Sequence, residues 1–317
     1  MPTLLDIIKK VDSTPYPHEI GYEEFRRNVY LLISHDGTFQ LGYLIPAVVA
    51  ELTKHPQYFI VSAEYKTVQI NPSLETFELR EAAFSEIGKE WRKNKLFITL
   101  EGWRDELYII YSKTKEPYFK LERAMCPLFG VVMYGVHING YVKTADGKLK
   151  LWIPRRAANK ATYPGMLDNM VAGGLGYPYG PLETCYKECY EEAGLEKEYI
   201  SEHINSCGVV SYLYQLTKGD YFTEAGLIQP EVEYIYDIEL DETMVPYPVD
   251  HEAENFRLMS IEEVKERILN QEFKDNCAAI IIDFMMRHSL ITAENEFDFI
   301  EINNRVHRFL PFPVRKN

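Results

Sequence analysis

The sequence predicts a mixed α/β protein of the α+β type with two domains, and three observations support that class. The chain has 317 residues, which is enough for two domains of ordinary size. Segments with apolar residues at helical spacing alternate with short β-rich runs. Two Asp-Gly pairs, Asp36-Gly37 and Asp146-Gly147, each lie between β-rich runs, which is the pattern of a β-hairpin.

Residues 1–122 are predicted to form the smaller domain, an α+β accessory domain. The segment LLDIIKKV near the start has its apolar residues on one face of a helix. The later predicted elements are, in order, the strand pair YLLISH and TFQLGYLI, the helices AVVAELTKH and ETFELREAAFSEIGKEWRKN, and the strand ELYIIYS. No residue pattern in this domain indicates chemistry.

Residues 123–317 are predicted to form the second domain, because the sequence becomes richer in β-type residues from Arg123 onward. Its predicted elements are, in order, the hairpin around Asp146-Gly147, a helix over 181–193, the strands NSCGVVSYLYQL and EVEYIYDIEL, and the helices SIEEVKERILNQEF and CAAIIIDFMMRHSL. Ser260 and Glu263 have the spacing of a capping box at a helix start.

The composition excludes some partners. Asp and Glu number 48 against 34 Lys and Arg, a formal charge of −14, and such a surface repels polyphosphate backbones and anionic bilayers. We therefore expect neither nucleic acid nor a membrane as a partner. The five cysteines are scattered and odd in number, and no apolar run approaches the roughly 20 residues of a membrane span. These features predict a reduced, cytoplasmic protein.

Three glutamates, Glu188, Glu191 and Glu192, lie on the helix predicted over 181–193. Pro181 suits its first position and Gly194 suits the residue after its end. At about 100° per residue the three carboxylates share one arc of about 100°. Hard oxygen ligands in this number suit Mg²⁺ or Mn²⁺. The alternative is a solvated acidic face.

The glycine-rich segment AGGLG precedes this helix. Glycine allows the backbone to approach a ligand closely, so the segment can bring carbonyls and amides to the same site. Cations that bridge phosphate oxygens and orient a water would give metal-assisted hydrolysis of a pyrophosphate.

The order of these parts resembles the Nudix box of Nudix hydrolases, G-x5-E-x7-R-E-U-x-E-E-x-G-U, where U is aliphatic. The matching residues over the 23 positions 173–195 are Gly173, Glu188, Glu191, Glu192, Gly194 and Leu195. Three positions depart from the pattern: Tyr179 replaces the first glutamate, Lys187 replaces the arginine, and Cys189 replaces an aliphatic residue.

The resemblance implies a Nudix α/β/α sandwich with a mixed sheet and a catalytic metal site. Glu188 and Glu192 would be the principal metal ligands, Glu191 a third ligand or the base that acts on water, and the Gly173 carbonyl a further ligand. Since these three glutamates are kept, we expect activity to survive. A Tyr179–Lys187 contact would replace the ion pair that the first glutamate and the arginine of the motif form in the family. The alternative is a non-catalytic module that only binds a ligand.

Positive charge precedes the box at Arg155, Arg156 and Lys160. Arginine binds phosphate oxygens bidentately, so these residues are predicted to hold the substrate's diphosphate. The alternative is an ordinary basic turn. Asp168 and its neighbour Asn169 are candidates for polar substrate contacts or for turn residues.

The segments LWIPRRAANKATYPGMLDNMVAGG and ETMVPYPVDHEAENFRLMSIEEV resemble one Nudix subfamily, the thiamine-pyrophosphokinase-related group. This resemblance implies hydrolysis of thiamine diphosphate, above all of oxidised or damaged analogues, to a monophosphate and phosphate. A nucleotide-type substrate such as ADP-ribose, a dinucleoside polyphosphate or coenzyme A is the alternative. A monomer and a homodimer are both open.

Further candidates surround the box in sequence. Glu252 and Glu254 lie on a later acidic loop, DETMVPYPVDHEAENF (residues 241–256), and would complete the metal site or act as base. His251 beside them is a weaker candidate for the base. The aromatic candidates for stacking on the substrate are Trp152, Tyr163 and Tyr177. Two thiols at helical spacing, Cys185 and Cys189, are predicted to be core.

Overall fold

The computed structural model describes residues 2–160, 162–217 and 224–315. The described chain forms two compact units, each assembled from three segments. The first unit contains Met1–Asp12, Tyr134–Tyr212 and Val232–Arg308, and the second contains Ser13–Met133, Leu213–Glu231 and Phe309–Asn317. The division of the chain into domains 1–122 and 123–317 stays a prediction.

The helices follow the helical spacing of the sequence in most cases. In chain order they are α1 (Leu4–Val11), α2 (Tyr22–Asn28), α3 (Pro46–Leu52), α4 (Phe77–Asn94), α5 (Cys126–Phe129), α6 (Pro181–Ala193), α7 (Lys197–His203), α8 (Ile261–Leu269), α9 (Asp275–Arg287) and α10 (Phe299–Val306).

The strands confirm the predicted mixed α/β class. In chain order they are β1 (Tyr30–Ile33), β2 (Gln40–Leu44), β3 (Phe59–Ser62), β4 (Thr67–Ile70), β5 (Leu107–Tyr111), β6 (Pro117–Glu122), β7 (Met133–Lys143), β8 (Leu149–Arg156), β9 (Val171–Gly174), β10 (Ile204–Gln215), β11 (Ile228–Glu239) and β12 (Ala253–Ser260).

The second unit is built on a four-stranded sheet in the order β2-β1-β4-β3 and the separate pair β5-β6. β1 is antiparallel to β2 across the predicted Asp36-Gly37 turn and parallel to β4. The core of this unit is aromatic: the Phe84 and Phe119 rings stack at 4.3 Å, and Trp91 stacks on Phe129. Such pairs add to the stabilisation from burial itself.

The first unit is built on a six-stranded sheet in the order β10-β11-β7-β8-β12, with β9 paired to β7. β7 and β8 form the predicted hairpin around Asp146-Gly147. β12 is antiparallel to β8 along most of both strands, so the segment after the acidic loop returns beside Arg155.

Helix α9 forms much of the core of the first unit, because every residue from Cys277 to Met285 is buried. Helices α1 and α10 pack against it. α1 has a capping box at its start, in which Thr3 accepts from the Asp6 amide and the Asp6 carboxylate accepts from the Thr3 amide. Residues from both ends of the sequence thus stabilise the unit that contains α6, the helix with Glu188, Glu191 and Glu192.

None of the helices in the described ranges combines the length and the hydropathy that a membrane span requires.

Candidate metal and phosphate site

The glutamate helix, α6, has the predicted bounds Pro181–Ala193. Proline occupies its first turn, and Gly194 follows in the left-handed conformation with φ 66°. The side that faces the unit's interior carries Cys185 and Cys189, both buried. Burial raises the pKa of Cys185 to about 12, so these thiols are core residues and unreactive.

Strand β9 lies directly against this helix. A Cβ on Gly173 would lie 2.4 Å from Cγ and 2.5 Å from Cδ of Glu188, so only glycine allows the Glu188 side chain to rest on the strand. The amide of the preceding residue, Ala172, donates to Glu192 Oε2 at 2.9 Å. β9 therefore fixes the positions of two of the three box glutamates.

The acidic loop before β12 is fastened to the end of the same helix. The amides of Val249 and Asp250 donate to the Glu191 carbonyl at 3.2 and 3.1 Å, and the Tyr247 amide donates to the Ala193 carbonyl at 3.2 Å. The last carbonyls of a helix have no partner within it, so they are free to accept from a passing loop. These bonds hold Asp250 next to Glu192.

Glu192, Asp250 and Glu252 form a compact carboxylate group, in which one oxygen from each residue lies within 4.8 Å of the other two. Burial raises the pKa of Glu192, and the nearby charges of Glu188, Asp168 and Glu252 raise it further. A divalent cation would relieve this crowding of like charges, and hard carboxylate oxygens are the ligands that Mg²⁺ and Mn²⁺ prefer. The residues present therefore fit such an ion.

Sequence reasoning missed Asp250. It lies two positions before Glu252 in the same acidic loop, and its Oδ1 accepts from the Glu252 amide at 2.9 Å. The available signal was the alternation of acids in VDHEAE, which places three carboxylates in five residues. The third of them, Glu254, points elsewhere: its carboxylate accepts from the Ala158 amide at 3.2 Å.

Lys187 contacts the box glutamates. Its ammonium lies 3.0 Å from Glu188 Oε1 and 3.1 Å from Glu191 Oε2. Partial burial lowers the pKa of Lys187, but hydrogen bonds and charge from these two glutamates outweigh that effect and raise it. Tyr179 is half exposed, and within the described residues its ring makes no bond to Lys187, so the predicted Tyr179–Lys187 contact does not form.

The predicted phosphate-binding residues already have protein partners. Arg156 donates from Nη1 to Asp168 Oδ2 at 2.6 Å, from Nε to the Tyr163 carbonyl and from Nη2 to the Thr162 carbonyl. Arg155 donates to the Gly165 carbonyl at 2.6 Å. The two arginines thus close the loop between β8 and β9.

Lys160 is placed differently from the two arginines. Its ammonium forms an ion pair with Glu252, a member of the carboxylate group. The structure therefore brings together one predicted phosphate contact and one predicted additional acid.

Asp168 and Asn169 are buried, and both side chains are held from several directions. The Cys277 thiol donates to Asp168 Oδ1 at 2.6 Å. Burial raises the pKa of Asp168, but the charges of Lys274 and Arg156 outweigh it and lower the pKa. Asn169 Oδ1 accepts a hydrogen bond from His137 Nδ1 at 2.8 Å. These two residues are therefore structural supports at the start of β9.

The aromatic candidates fall in different environments. Trp152 is buried in the sheet, so it cannot stack on a substrate. Tyr163 is partly exposed, with the Lys274 ammonium 5.6 Å from its ring centroid. Tyr177 is half exposed on the loop before α6. His251 is exposed on the acidic loop with φ 61°.

Two family models match the chain. Residues 25–133 match a domain of unknown function, DUF4743, and residues 133–278 match the NUDIX domain. The second match contains the glutamate helix, β9 and the acidic loop.

Similar proteins include two that are close over most of the chain. Protein YJR142W of Saccharomyces cerevisiae, which is described as uncharacterized, is 38% identical over 98% of this chain and 92% of its own length. Nudix hydrolase 24, chloroplastic, of Arabidopsis thaliana is 35% identical over 80% of this chain and 67% of its own. Among solved structures, DR0079 of Deinococcus radiodurans is 18% identical, with a TM-score of 0.39 over 55% of this chain and 97% of its own.

Proposed function

We propose a substrate and a mechanism on one premise: the chain belongs to the Nudix hydrolase family and is a hydrolase that acts on phosphoric anhydrides. The proposed reaction is hydrolysis of thiamine diphosphate, and above all of its oxidised or damaged analogues, to a monophosphate and phosphate. Mg²⁺ or Mn²⁺ is the proposed cofactor. The cytoplasmic location and the lack of nucleic acid and membrane partners stay predictions.

One observation carries the metal site: Glu192, Asp250 and Glu252 converge within 4.8 Å beside Glu188, which lies against Gly173. We assign Glu188, Glu192 and Asp250 as metal ligands, with Glu252 and the Gly173 carbonyl completing the set. Divalent cations held there would neutralise charge on the phosphate oxygens and lower the pKa of a bound water.

Glu191 is the proposed general base. Its carboxylate lies outside the 4.8 Å group and is 45% exposed, so it is accessible to a water that enters with the substrate. It would take one proton from that water as the oxygen bonds to phosphorus. The bond from this phosphorus to the bridging oxygen breaks, and the bridging oxygen leaves with the other phosphate.

Lys160 is the proposed phosphate contact. Its ammonium is already at the carboxylate group through Glu252, so a phosphate bound beside that group lies within its reach. Arg156 has all three guanidinium nitrogens engaged by protein acceptors. Arg155 donates from Nη1 to the Gly165 carbonyl of the same loop. We therefore assign both arginines to loop structure, which in turn positions Lys160.

The substrate proposal rests on the subfamily resemblance of the two segments around the box, and exposed aromatic rings on the same elements are compatible with it. The side chains of Tyr177, Tyr179, Tyr190 and Tyr247 are each about half exposed. An aromatic or cationic ring system can stack on such side chains, a contribution of about 1 kcal/mol per contact.

Phosphate release with Mg²⁺ tests the proposal, with thiamine diphosphate, its oxo and oxy analogues and ADP-ribose as substrates. We expect the highest kcat/KM for a damaged thiamine compound. A preference for ADP-ribose would keep the metal chemistry and overturn the substrate class. Tight binding without release from any compound would show that the changes at Tyr179 and Lys187 have made a ligand-binding module.

A further inference from the structure

Lys187 places a positive charge on the acidic side of α6. Its ammonium bridges Glu188 Oε1 at 3.0 Å and Glu191 Oε2 at 3.1 Å. The Lys187 and Glu191 side chains are each 45% exposed, whereas that of Glu188 is 15% exposed. The ammonium therefore lies on the solvent side of the innermost of the two carboxylates.

This contact offsets a repulsion that the helix sequence creates. Carboxylates three and four positions apart on a helix are neighbours and destabilise it when both are charged. Glu188 also lies against β9, in the space that the missing Cβ of Gly173 leaves open. The Lys187 ammonium beside Glu188 lowers the local negative charge.

We propose that Lys187 is a built-in counter-ion of the site, which stabilises it without metal and must leave Glu188 before a divalent cation binds there. The inference rests on the proposed function, because it takes Glu188 to be a metal ligand. It assigns Lys187 a role in setting cation affinity. Lys187 is a positioning residue, since it acts through the two glutamates.

The chemistry of lysine suits this role. Lysine carries a compact ammonium on a flexible four-carbon stem, so it can turn into solvent when another cation arrives. An arginine at this position would hold the carboxylates through a planar, bidentate fork and would be harder to displace. The exposure of Lys187 leaves it a path outward.

Calorimetric titration of the metal-free full chain with Mn²⁺ at fixed ionic strength tests the proposal. For Lys187→Gln we expect a Kd on the order of tenfold lower than wild type, because a unit charge near a divalent ion is removed. The metal-free variant should also melt roughly 1–3 °C lower. Lys187→Arg keeps the charge and should bind Mn²⁺ no more tightly than wild type.

Lys197→Gln is the matched control. Lys197 begins the next helix, α7, and its ammonium lies over the Tyr186 ring at 5.2 Å. The substitution Lys197→Gln removes the same net charge as Lys187→Gln but does not affect a contact of the box glutamates. The Kd of this variant for Mn²⁺ should therefore stay within about twofold of wild type.

Three outcomes would overturn the inference. If wild type binds Mn²⁺ and Lys187→Gln binds it equally or more weakly, the inference fails and the proposed function stands. If Lys197→Gln tightens binding as much as Lys187→Gln, the general charge of the protein accounts for the effect. If wild type binds no Mn²⁺ at millimolar concentration, the inference and the proposed function fall together.

Discussion

Glu192 combines a backbone hydrogen bond with close contact to other carboxylates. It accepts the Ala172 amide at 2.9 Å and shares the carboxylate group with Asp250 and Glu252. For Glu192→Gln we expect kcat to fall about 100-fold or more, because a neutral amide is a poor ligand for Mg²⁺. The free energy of unfolding should stay the same or rise, since a charge is removed from a crowded group.

Steady-state kinetics and urea denaturation of the same sample separate these two effects. Glu191→Gln serves as the comparison, since loss of the proposed base should lower kcat while the affinity for Mn²⁺ falls much less than in Glu192→Gln. Normal turnover by Glu192→Gln would show that the assignment of the metal site to α6 is wrong.

Gly173 is required by its neighbour. In Gly173→Ala the new Cβ would lie 2.4 Å from Cγ of Glu188, an atom near the start of that side chain. Glu188 therefore has to change rotamer and leave the strand, and we expect Mn²⁺ affinity to fall about tenfold or more. Calorimetry measures this, with urea denaturation to confirm folding.

Gly102→Ala is the control for that experiment, because a Cβ there has open space and φ is not positive. It should leave both Mn²⁺ affinity and stability nearly unchanged. Equal Mn²⁺ affinity in wild type and Gly173→Ala would show that the close approach to Glu188 has no bearing on the site.

At the scale of elements, the site depends on how the acidic loop is held by the end of α6. Gly194 has φ 66°, and a Cβ on it would lie 2.4 Å from the Tyr247 ring. Gly194→Ala should therefore destabilise the protein by about 2 kcal/mol and displace the loop that carries Asp250. Urea denaturation gives the first effect and Mn²⁺ titration gives the second.

Gly147→Ala separates backbone strain from contact. Gly147 also has a positive φ, 82°, but a Cβ there meets nothing within 4 Å. It should cost about 1 kcal/mol of stability and leave the Mn²⁺ affinity unchanged. If the two variants lose the same stability and keep the same affinity, the ring contact does not position the loop.

The elements differ in how far the sequence could predict them. The bounds of α6 followed from local signals, a proline at the start and a glycine after the end, and the structure confirms both. The Asp146-Gly147 hairpin was likewise local. The position of Asp250 could not be predicted from local signals, because it depends on a backbone hydrogen bond to Glu191, a residue distant in the chain. Sequence patterns report spacing within an element and not such long-range bonds.

The same limit applies to the phosphate-binding prediction. Arg155 and Arg156 were selected for charge, yet their donors go to carbonyls and a carboxylate within the neighbouring loop. Lys160, from the same cluster, is the residue that reaches the carboxylate group. Charge in a sequence does not reveal which donors the fold itself consumes.

At the scale of the whole chain, the two ends of the sequence meet within the first unit. Asp12, at the end of α1, is buried, and its carboxylate accepts from Arg308 Nη1 at 2.8 Å and from Arg305 Nη1 at 3.3 Å. Both guanidinium groups are also buried. Neither charge sign nor helical spacing could have predicted this cluster, because its partners are almost the full chain apart.

This cluster leads to a stability prediction. Asp12→Ala leaves two buried arginines without that carboxylate, and removal of one partner from a buried pair costs about 3 kcal/mol. Lys9→Ala is the matched control, since it breaks an ion pair between the same two helices, α1 and α10, with both side chains nearly half exposed. Such a pair contributes less than about 1 kcal/mol. Urea denaturation of both variants should show the difference. Equal losses would mean that α1 is held to the unit by its apolar face alone.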